Sequence, residues 1–239
     1  MIERPFLALE TSTRNLSIAI GSDGQTLDEV ALDPAASHAS DLGGACHRLL
    51  ERHRLTPRDL AGLAVGIGPG SFTGLRVAAA LALGLERACG VPLYGIPSLT
   101  AALLEVDPLP PGVHLSLVDA RAGRVYASLH DDQPLPRVLA AADAPRLEDF
   151  EAFLEQLPID APLTVHAEPR TLELSRGTRP LGEALTSLHP THHIAPAPTP
   201  TAKGVLRLAC DPRANAAPLP RTTLRPLYLA RFGPTKTAP

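Results

Sequence analysis

The sequence predicts an α/β fold in which a mixed sheet is built twice. Through the first hundred residues, short apolar runs alternate with stretches of helical periodicity, the pattern of a sheet covered by helices. A glycine-rich turn at residues 68–74 joins a buried strand to an apolar helix. A unit of strand, acidic residue, turn and returning strand begins at residue 6 and again at residue 114, which favours two related halves.

The chain opens with a predicted three-stranded meander. Apolar residues 6–9 and 16–20 form its first two strands, and Ser22-Asp23-Gly24 is a hairpin signal before a third strand at residues 25–32. After Asp33-Pro34, apolar positions at helical spacing predict a helix from about Ser40 to His53.

The central segment, residues 63–96, is predicted to fold as strand, glycine turn, helix and strand. The helix over residues 75–85 carries one charge, Arg76, and is apolar almost all round, whereas a surface helix needs an apolar stripe on one face only. At eleven residues it is too short to span a membrane. Its far side must therefore be covered, either by more of this chain or by another chain.

The second half repeats the opening and then becomes rich in proline. Six positions separate Glu10 from Leu16 and, likewise, Asp119 from Val125, where the returning strands begin. Twenty of the 26 prolines lie beyond Asp107, so we expect long loops there. The remaining predicted elements are a helix at 147–157, a strand at 163–167, a linker at 195–201, a helix at 204–210 and a last strand at 226–231.

Composition narrows the classes of function. The formal net charge is -3 and aromatic residues make up 3% of the chain, which disfavours a module that binds RNA by itself. The three cysteines are widely spaced in apolar helical contexts, as expected for buried thiols in a reducing cytoplasm. Because residues 1–4 lead straight into the first strand, we expect no signal peptide and no membrane association.

Three loops are candidates for holding phosphate or a cation. Each offers backbone N–H groups with hydroxyl or acidic side chains near a strand end or a helix N-terminus. The alternative is that they are ordinary turn and capping residues. The sequence has neither a P-loop nor the spacing of a dinucleotide site. The candidate residues are Glu10, Thr11 and Ser12, then Gly68, Gly70 and Ser71, and then Asp119 and Arg121.

The search for metal ligands and nucleophiles predicts no catalytic residue and no metal site. His189 and His193 have a spacing of four, but Pro190 argues against a helix that would present them together. No cysteine or serine has a local signature of an activated nucleophile.

Four motifs, in order and covering nearly the whole chain, resemble those of the TsaB (YeaZ) family. The specific one is GPGSFTGLRV at residues 68–77, and the weaker ones are residues 7–13, 119–126 and 226–229. The resemblance implies an actin-like (ASKHA, ribonuclease H-like) fold of two lobes with mixed sheets. It places the first lobe at 1–105, completed by 203–232, the smaller proline-rich lobe at 106–202, and a disordered tail at 233–239.

The resemblance also implies a function without catalysis. Members of this family pair with a homologous catalytic subunit, TsaD, which attaches threonylcarbamoyl to the adenosine beside the tRNA anticodon, and an ATPase, TsaE, completes the complex. The catalytic relative has a metal-binding pair of histidines where this chain has Ser98 and Ala102, which cannot replace imidazole. The family often has Asp at the position of Glu10, so the expectation is a vestigial nucleotide site that binds ATP or ADP weakly at most.

The two apolar helices of the first lobe are the partner contact that the resemblance implies. We expect the same surface to form a homodimer when the partner is absent, and tRNA to be bound only within the complex. Two alternatives remain open, an autonomous ATP-dependent phosphotransferase or peptidase of the actin-like superfamily, and an RNA-binding module. The predicted interface residues are Leu42, Ala45, Cys46, Leu49, Leu75, Ala78, Ala79, Leu81 and Ala82.

Overall fold

Two five-stranded mixed sheets, each with helices against it, make up the part of the chain that the structure describes. The computed structural model describes residues 4–32, 41–106, 108–121, 123–142, 150, 152, 161–174, 180–188 and 193–214. The strands and helices are β1 Phe6–Glu10, β2 Ser17–Ser22, β3 Gln25–Ala31, α1 Leu42–Arg52, β4 Gly62–Gly66, α2 Phe72–Cys89, β5 Leu93–Ile96, α3 Ser98–Leu103, β6 Val113–Arg121, β7 Arg124–His130, β8 Val138–Ala142, β9 Leu163–Ala167, α4 Pro169–Leu172, α5 Leu181–Leu188, β10 His193–Ala195 and α6 Ala202–Cys210.

The two sheets have the same strand order, which confirms the predicted repeat. The first runs β3-β2-β1-β4-β5 and the second β8-β7-β6-β9-β10 when read from the corresponding edge. In each sheet the first three strands are antiparallel and the last two run parallel to the central strand, β1 or β6. We call the first sheet with α1, α2, α3 and α6 the first lobe, and the second sheet with α4 and α5 the second lobe.

One face of the first sheet packs against α1 and α2, and this packing corrects the expected position of the interface residues. Eight of the nine predicted residues are buried within the chain, and Leu81 is partly buried beside them. They pack on side chains such as Leu7, Leu9 and Leu63 of the sheet, because the apolar stripe of each helix turns towards the nearest apolar surface. The buried residues are Leu42, Ala45, Cys46, Leu49, Leu75, Ala78, Ala79 and Ala82.

The other face of the first sheet is covered by α6. Alanines on three neighbouring strands, Ala8, Ala19 and Ala64, are fully buried there and let the helix lie close to the backbone. The sequence predicted this helix at 204–210, and the structure begins it at Ala202 because Thr201 caps it, its Oγ1 accepting a hydrogen bond from Gly204 N at 3.1 Å.

In the second lobe, β6, β7 and β9 bury Leu115, Val125 and Val165 against Leu181 and Leu185 of α5. The sequence predicted β9 at its observed bounds but did not predict α3, α5, β8 or β10. The predicted strand at 226–231, the tail and most of the predicted helix at 147–157 lie outside the described residues. In the described part of the chain, each helix falls short of the combined length and hydropathy that crossing a bilayer would need.

Candidate functional site

Glu10, the last residue of β1, lies at the centre of the site with its side chain fully buried. One carboxylate oxygen, Oε1, accepts a hydrogen bond from the backbone N–H of Ser12 at 2.6 Å. The other, Oε2, accepts one from the Ser98 hydroxyl at 2.8 Å. The carboxyl group therefore joins the end of the first strand to the start of α3.

Ser98 connects this carboxyl group to the glycine turn. Its Oγ accepts a hydrogen bond from Gly68 N at 3.1 Å, and its own N–H donates to Gly68 O at 2.8 Å. Ser98 thus accepts one hydrogen bond from Gly68 and donates another to it, while its hydroxyl donates to Glu10. Three segments that are far apart in sequence are held together by one buried serine.

The glycine turn packs directly on the first loop. The N–H of Ser71 donates to Ser12 O at 2.6 Å. A Cβ atom built on Gly70 would lie 2.2 Å from Ser12 O, and one built on Gly74 would lie 2.1 Å from Thr11 O. Only glycine permits this approach, which explains the spacing of the motif. Ser71 also caps α2, its Oγ accepting from Gly74 N at 3.2 Å.

The electrostatics of this site are dominated by the burial of the Glu10 carboxyl group. Burial raises the pKa of Glu10 above its ordinary value, and the hydrogen bonds from Ser12 and Ser98 offset part of that rise. Two hydroxyl oxygens on the residues that follow it, Thr11 Oγ1 and Ser12 Oγ, are buried and have no hydrogen-bond partner among the residues that the structure describes. The Glu10 carboxyl group and these two hydroxyls are thus polar groups buried away from solvent.

The third predicted loop lies on the other sheet. Asp119 belongs to β6, and its side chain is exposed. Arg121 is the last residue of the same strand. The structure therefore brings together the first loop, Glu10 to Ser12, and the glycine turn, Gly68 to Ser71. The third predicted loop, with Asp119 and Arg121, lies in the second lobe.

Ser98 and Ala102 lie one turn apart on α3, and both are buried. Within the described ranges, histidine, cysteine, aspartate and glutamate nowhere form a group of three or more that could hold a metal ion. The Ser98 hydroxyl is bonded instead to Glu10 and to Gly68.

The outer face of α2 carries a row of exposed residues spaced four apart. In order along the helix these are Phe72, Arg76, Ala80, Gly84 and Ala88. The guanidinium carbon of Arg76 lies 4.4 Å from the centre of the Phe72 ring, a cation–π contact. We call this row the α2 ridge. Its last three members are small, so another helix could approach its backbone closely.

A buried polar face on the second sheet was missed by the sequence analysis. His130 of this face contacts α3, since its Nε2 lies 3.0 Å from Thr100 Oγ1. A signal for the face was present, because polar residues alternate with apolar ones along three strands. Its residues are His114, Ser116, Ser128, His130, Thr164 and His166, all buried.

A family model described as "TsaD: tRNA N6-adenosine threonylcarbamoyltransferase" matches residues 30–158, a little over half of the chain. Among curated relatives, the Bacillus subtilis (strain 168) protein named "tRNA threonylcarbamoyladenosine biosynthesis protein TsaB" is 31% identical over 124 residues, 52% of this chain and 54% of that protein. The Escherichia coli (strain K12) protein of the same name is 31% identical over 121 residues, 50% of this chain and 52% of that one. The chain thus spans about half the length of these relatives.

Two solved structures from Pseudomonas aeruginosa are similar over almost the full length. The one described as YeaZ has a TM-score of 0.69 at 23% identity and covers 93% of this chain and 98% of its own. A second, described as an uncharacterized protein with similarity to peptidase YEAZ, has a TM-score of 0.72 at 22% identity and covers 95% and 99%. These likenesses concern the fold alone, and they confirm the predicted α/β class with the fold of YeaZ.

Proposed function

The chain belongs to the family of the matching TsaD model and, within it, to the TsaB (YeaZ) group, and on this premise we propose that it is a non-catalytic subunit in the synthesis of threonylcarbamoyladenosine in tRNA. In this proposal it binds and activates a TsaD-type catalytic subunit, which carries out the transfer. The proposed complex also includes a TsaE-type ATPase, and tRNA is bound only by the assembly. We propose a cytoplasmic location, since that is where its substrate tRNA is found.

The observation that carries the proposal is the α2 ridge. The inner sides of α1 and α2 are already used, because they form the core with the chain's own sheet. The ridge is part of the solvent-exposed face of this helix, and its last three members, Ala80, Gly84 and Ala88, are small residues at the spacing by which helices interlock. Phe72 and Arg76 at one end are residue types that are enriched in protein interfaces.

The proposed interface needs more surface than the α2 ridge alone. A specific interface buries about 800 Å² on each partner, of which the two helices α1 and α2 would supply the centre. α1 and α2 lie next to one another, since a Cβ built on Gly43 would be in ordinary van der Waals contact with Leu81 Cδ1, at 3.8 Å. A partner helix would therefore contact both. A second copy of this chain could use the same face, which is our proposal for the protein in isolation.

The chemistry of the first loop supports a role without catalysis. The Ser98 hydroxyl donates a hydrogen bond to Glu10 and accepts one from Gly68, so it is used in structural contacts. A carboxyl group at Glu10 also disfavours a phosphate beside it, because like charges repel in a buried site. We therefore propose no resident cofactor and, at most, weak binding of ATP or ADP.

The proposal is tested by co-purifying the chain with a TsaD-type subunit and measuring threonylcarbamoylation of tRNA with and without it. We expect activity to require the wild-type chain and to be lost with Ala80→Glu or Gly84→Glu, which place a charge in the middle of the ridge. The matched control is Ala31→Glu, an exposed alanine on β3, which should leave activity unchanged.

Two results would contradict the proposal. One is full modification activity of the partner when both ridge variants are used. The other is turnover of Mg-ATP or peptide by the isolated chain that is lost with Asp119→Ala, since that outcome would indicate an autonomous enzyme.

A further inference from the structure

The short helix α3 of the first lobe also contacts the second lobe, and both contacts include side-chain hydrogen bonds. All six of its residues, Ser98 to Leu103, are buried. On one side it is bonded to the glycine turn that begins α2, and on the other it is bonded to the second sheet. We propose that His130 and Thr100 are positioning residues that act through α3 to set the geometry of the glycine turn, and with it the partner-binding surface.

The first-lobe end of this connection is rigid. Ser98 holds both the N–H and the carbonyl group of Gly68, at 3.1 and 2.8 Å. Gly68 lies three residues before Ser71, which caps α2. A shift of Ser98 therefore moves the backbone from which α2 starts, because a pair of bonds to a single residue leaves that residue little freedom.

In the second lobe, the connection to α3 is made by one histidine that can bond to either of two hydroxyl groups. Nε2 of His130 lies 3.0 Å from Thr100 Oγ1 in the first lobe and 3.2 Å from Ser128 Oγ in the second. Burial lowers the pKa of His130 to about 4, so the ring is neutral at neutral pH. One ring nitrogen serves both hydroxyls, so the contact between lobes competes with a contact inside the second lobe.

The helix has no room to move away from these contacts. A Cβ built on Gly204 of α6 would lie 2.3 Å from the carbonyl oxygen of Ala101, so α6 and α3 touch through their backbones. With α6 behind it, a change at Thr100 is passed along α3 to Ser98, two residues away on a helix of little more than one turn. The position of the second sheet therefore determines how tightly Gly68 is held.

The consequence for function rests on the proposed partner-binding role of α2. The α2 ridge begins at Phe72, directly after the cap at Ser71. A glycine turn that is held in place presents Phe72 and Arg76 ready for binding. A loosened turn must be ordered during association, which lowers affinity.

The experiment uses hydrogen exchange of the isolated full chain, so that it does not depend on any partner. The amides to follow are those of Gly68 and Ser71, which are bonded to Ser98 and Ser12. Thr100→Val keeps the shape of the side chain and removes the bond to His130. We expect exchange at both amides to rise about fivefold, the change that corresponds to one hydrogen bond of ordinary strength.

Two variants make this result specific. Thr100→Ser restores a hydroxyl and should return exchange to within about twofold of wild type. Ser128→Ala removes the competing bond inside the second lobe, and exchange at the glycine turn should be as slow as in wild type or slower. Amides of α5 that exchange through global unfolding measure any loss of overall stability, and the rise at Gly68 and Ser71 in Thr100→Val should exceed the rise at these amides.

A third variant displaces α3 without removing either bond. Gly204→Ala pushes on the Ala101 carbonyl from α6, and we expect faster exchange at Gly68 here too. The inference is overturned if Thr100→Val leaves Gly68 and Ser71 as protected as in wild type. It is also overturned if Ser128→Ala raises their exchange equally.

Affinity for a TsaD-type subunit supplies a separate readout. We expect Thr100→Val to weaken binding about three- to fivefold while Ser128→Ala binds as wild type does, again on the scale of one hydrogen bond. If wild-type chain does not bind the subunit, the proposed function fails, while the exchange data still decide whether α3 couples the lobes.

Discussion

The Oγ atom of Ser98 donates a hydrogen bond to Oε2 of Glu10 across 2.8 Å, although the two residues are 88 positions apart. Both side chains are fully buried. This contact links the end of the first strand to the first turn of α3, and through Gly68 it also fixes the start of the glycine turn. The glycine turn, which is the most specific motif of the sequence, is thus stabilised by the Ser98 hydroxyl group, which in turn is bonded to the Glu10 carboxyl group.

Replacing Glu10 should distinguish the loss of one hydrogen bond from the loss of both. In Glu10→Gln the amide oxygen can still accept from Ser12 N, but the amide nitrogen faces Ser98, whose hydroxyl loses its acceptor, so we expect the free energy of unfolding to fall by about 1–3 kcal/mol, the cost of one buried donor left unpaired. Glu10→Ala leaves both buried donors unpaired and should cost about 1–3 kcal/mol for each. Urea unfolding at pH 7.5 measures both, and equal destabilisation by the two variants would contradict the hydrogen-bond account.

Two glycines of the central segment should respond in opposite directions to the same substitution. Gly70→Ala would place its Cβ against the carbonyl oxygen of Ser12, and we expect a loss of about 1–3 kcal/mol because the first loop must move. Gly84, on the outer face of α2, has no atom within 4 Å of an added Cβ. Gly84→Ala should therefore stabilise the helix by about 0.5–1 kcal/mol. Thermal unfolding of the two variants tests the pair, and a stable Gly70→Ala protein would show that the two loops are not in contact.

The sequence predicted the elements whose pattern is regular. Alternating and continuous apolar runs placed β1, β2, β4, β6, β7 and β9, and β9 was predicted at its observed ends. The helix α2 was predicted too short, at residues 75–85, although both of its end signals were present. Ser71 caps its start, and Gly90, with a positive φ of 71°, ends it.

The sequence could not predict what depends on contacts between distant residues. α3 follows Pro97, has six residues and is buried on all sides, so it shows no amphipathic period. Likewise, an apolar stripe at helical spacing does not reveal which surface will cover it. The stripe residues, Ala78 and Ala82 among them, were assigned to a partner but are covered by the chain's own sheet.

The three cysteines should differ in reactivity in the native state. Burial raises the pKa of Cys46 to about 12, and burial also raises the pKa of Cys210, so both thiols stay protonated at neutral pH. Cys89, near the end of α2, is only partly buried. We expect a thiol reagent at pH 8 to label Cys89 first and the other two only at the rate of unfolding. Peptide mapping after timed labelling checks this order, and early modification of Cys46 would contradict its burial.

The buried histidines should make the fold sensitive to mild acid. Burial lowers the pKa of His130 and of His166 to about 4, and neighbouring His114 lowers that of His166 further. Since the unfolded chain binds protons near pH 6.5 and the folded chain only near pH 4, stability is present above about pH 6.5 and is lost between these values as pH falls.

Proton linkage sets how much folding stability the histidines lose as pH falls, and their contribution can be measured separately from the contribution of Glu10. Each histidine contributes a slope of up to about 1.4 kcal/mol per pH unit in this window. Glu10 acts in the opposite sense, because its raised pKa favours the fold below the ordinary value of 4.5 and is unfavourable above it. Urea unfolding from pH 8 to pH 4, with His130→Gln and Glu10→Gln, measures both contributions. We expect His130→Gln to flatten the plot of unfolding free energy against pH between pH 6.5 and 4. We expect Glu10→Gln to steepen the loss of stability towards acid. A wild-type profile without slope in this range would mean that the histidines are accessible to protons in the folded state.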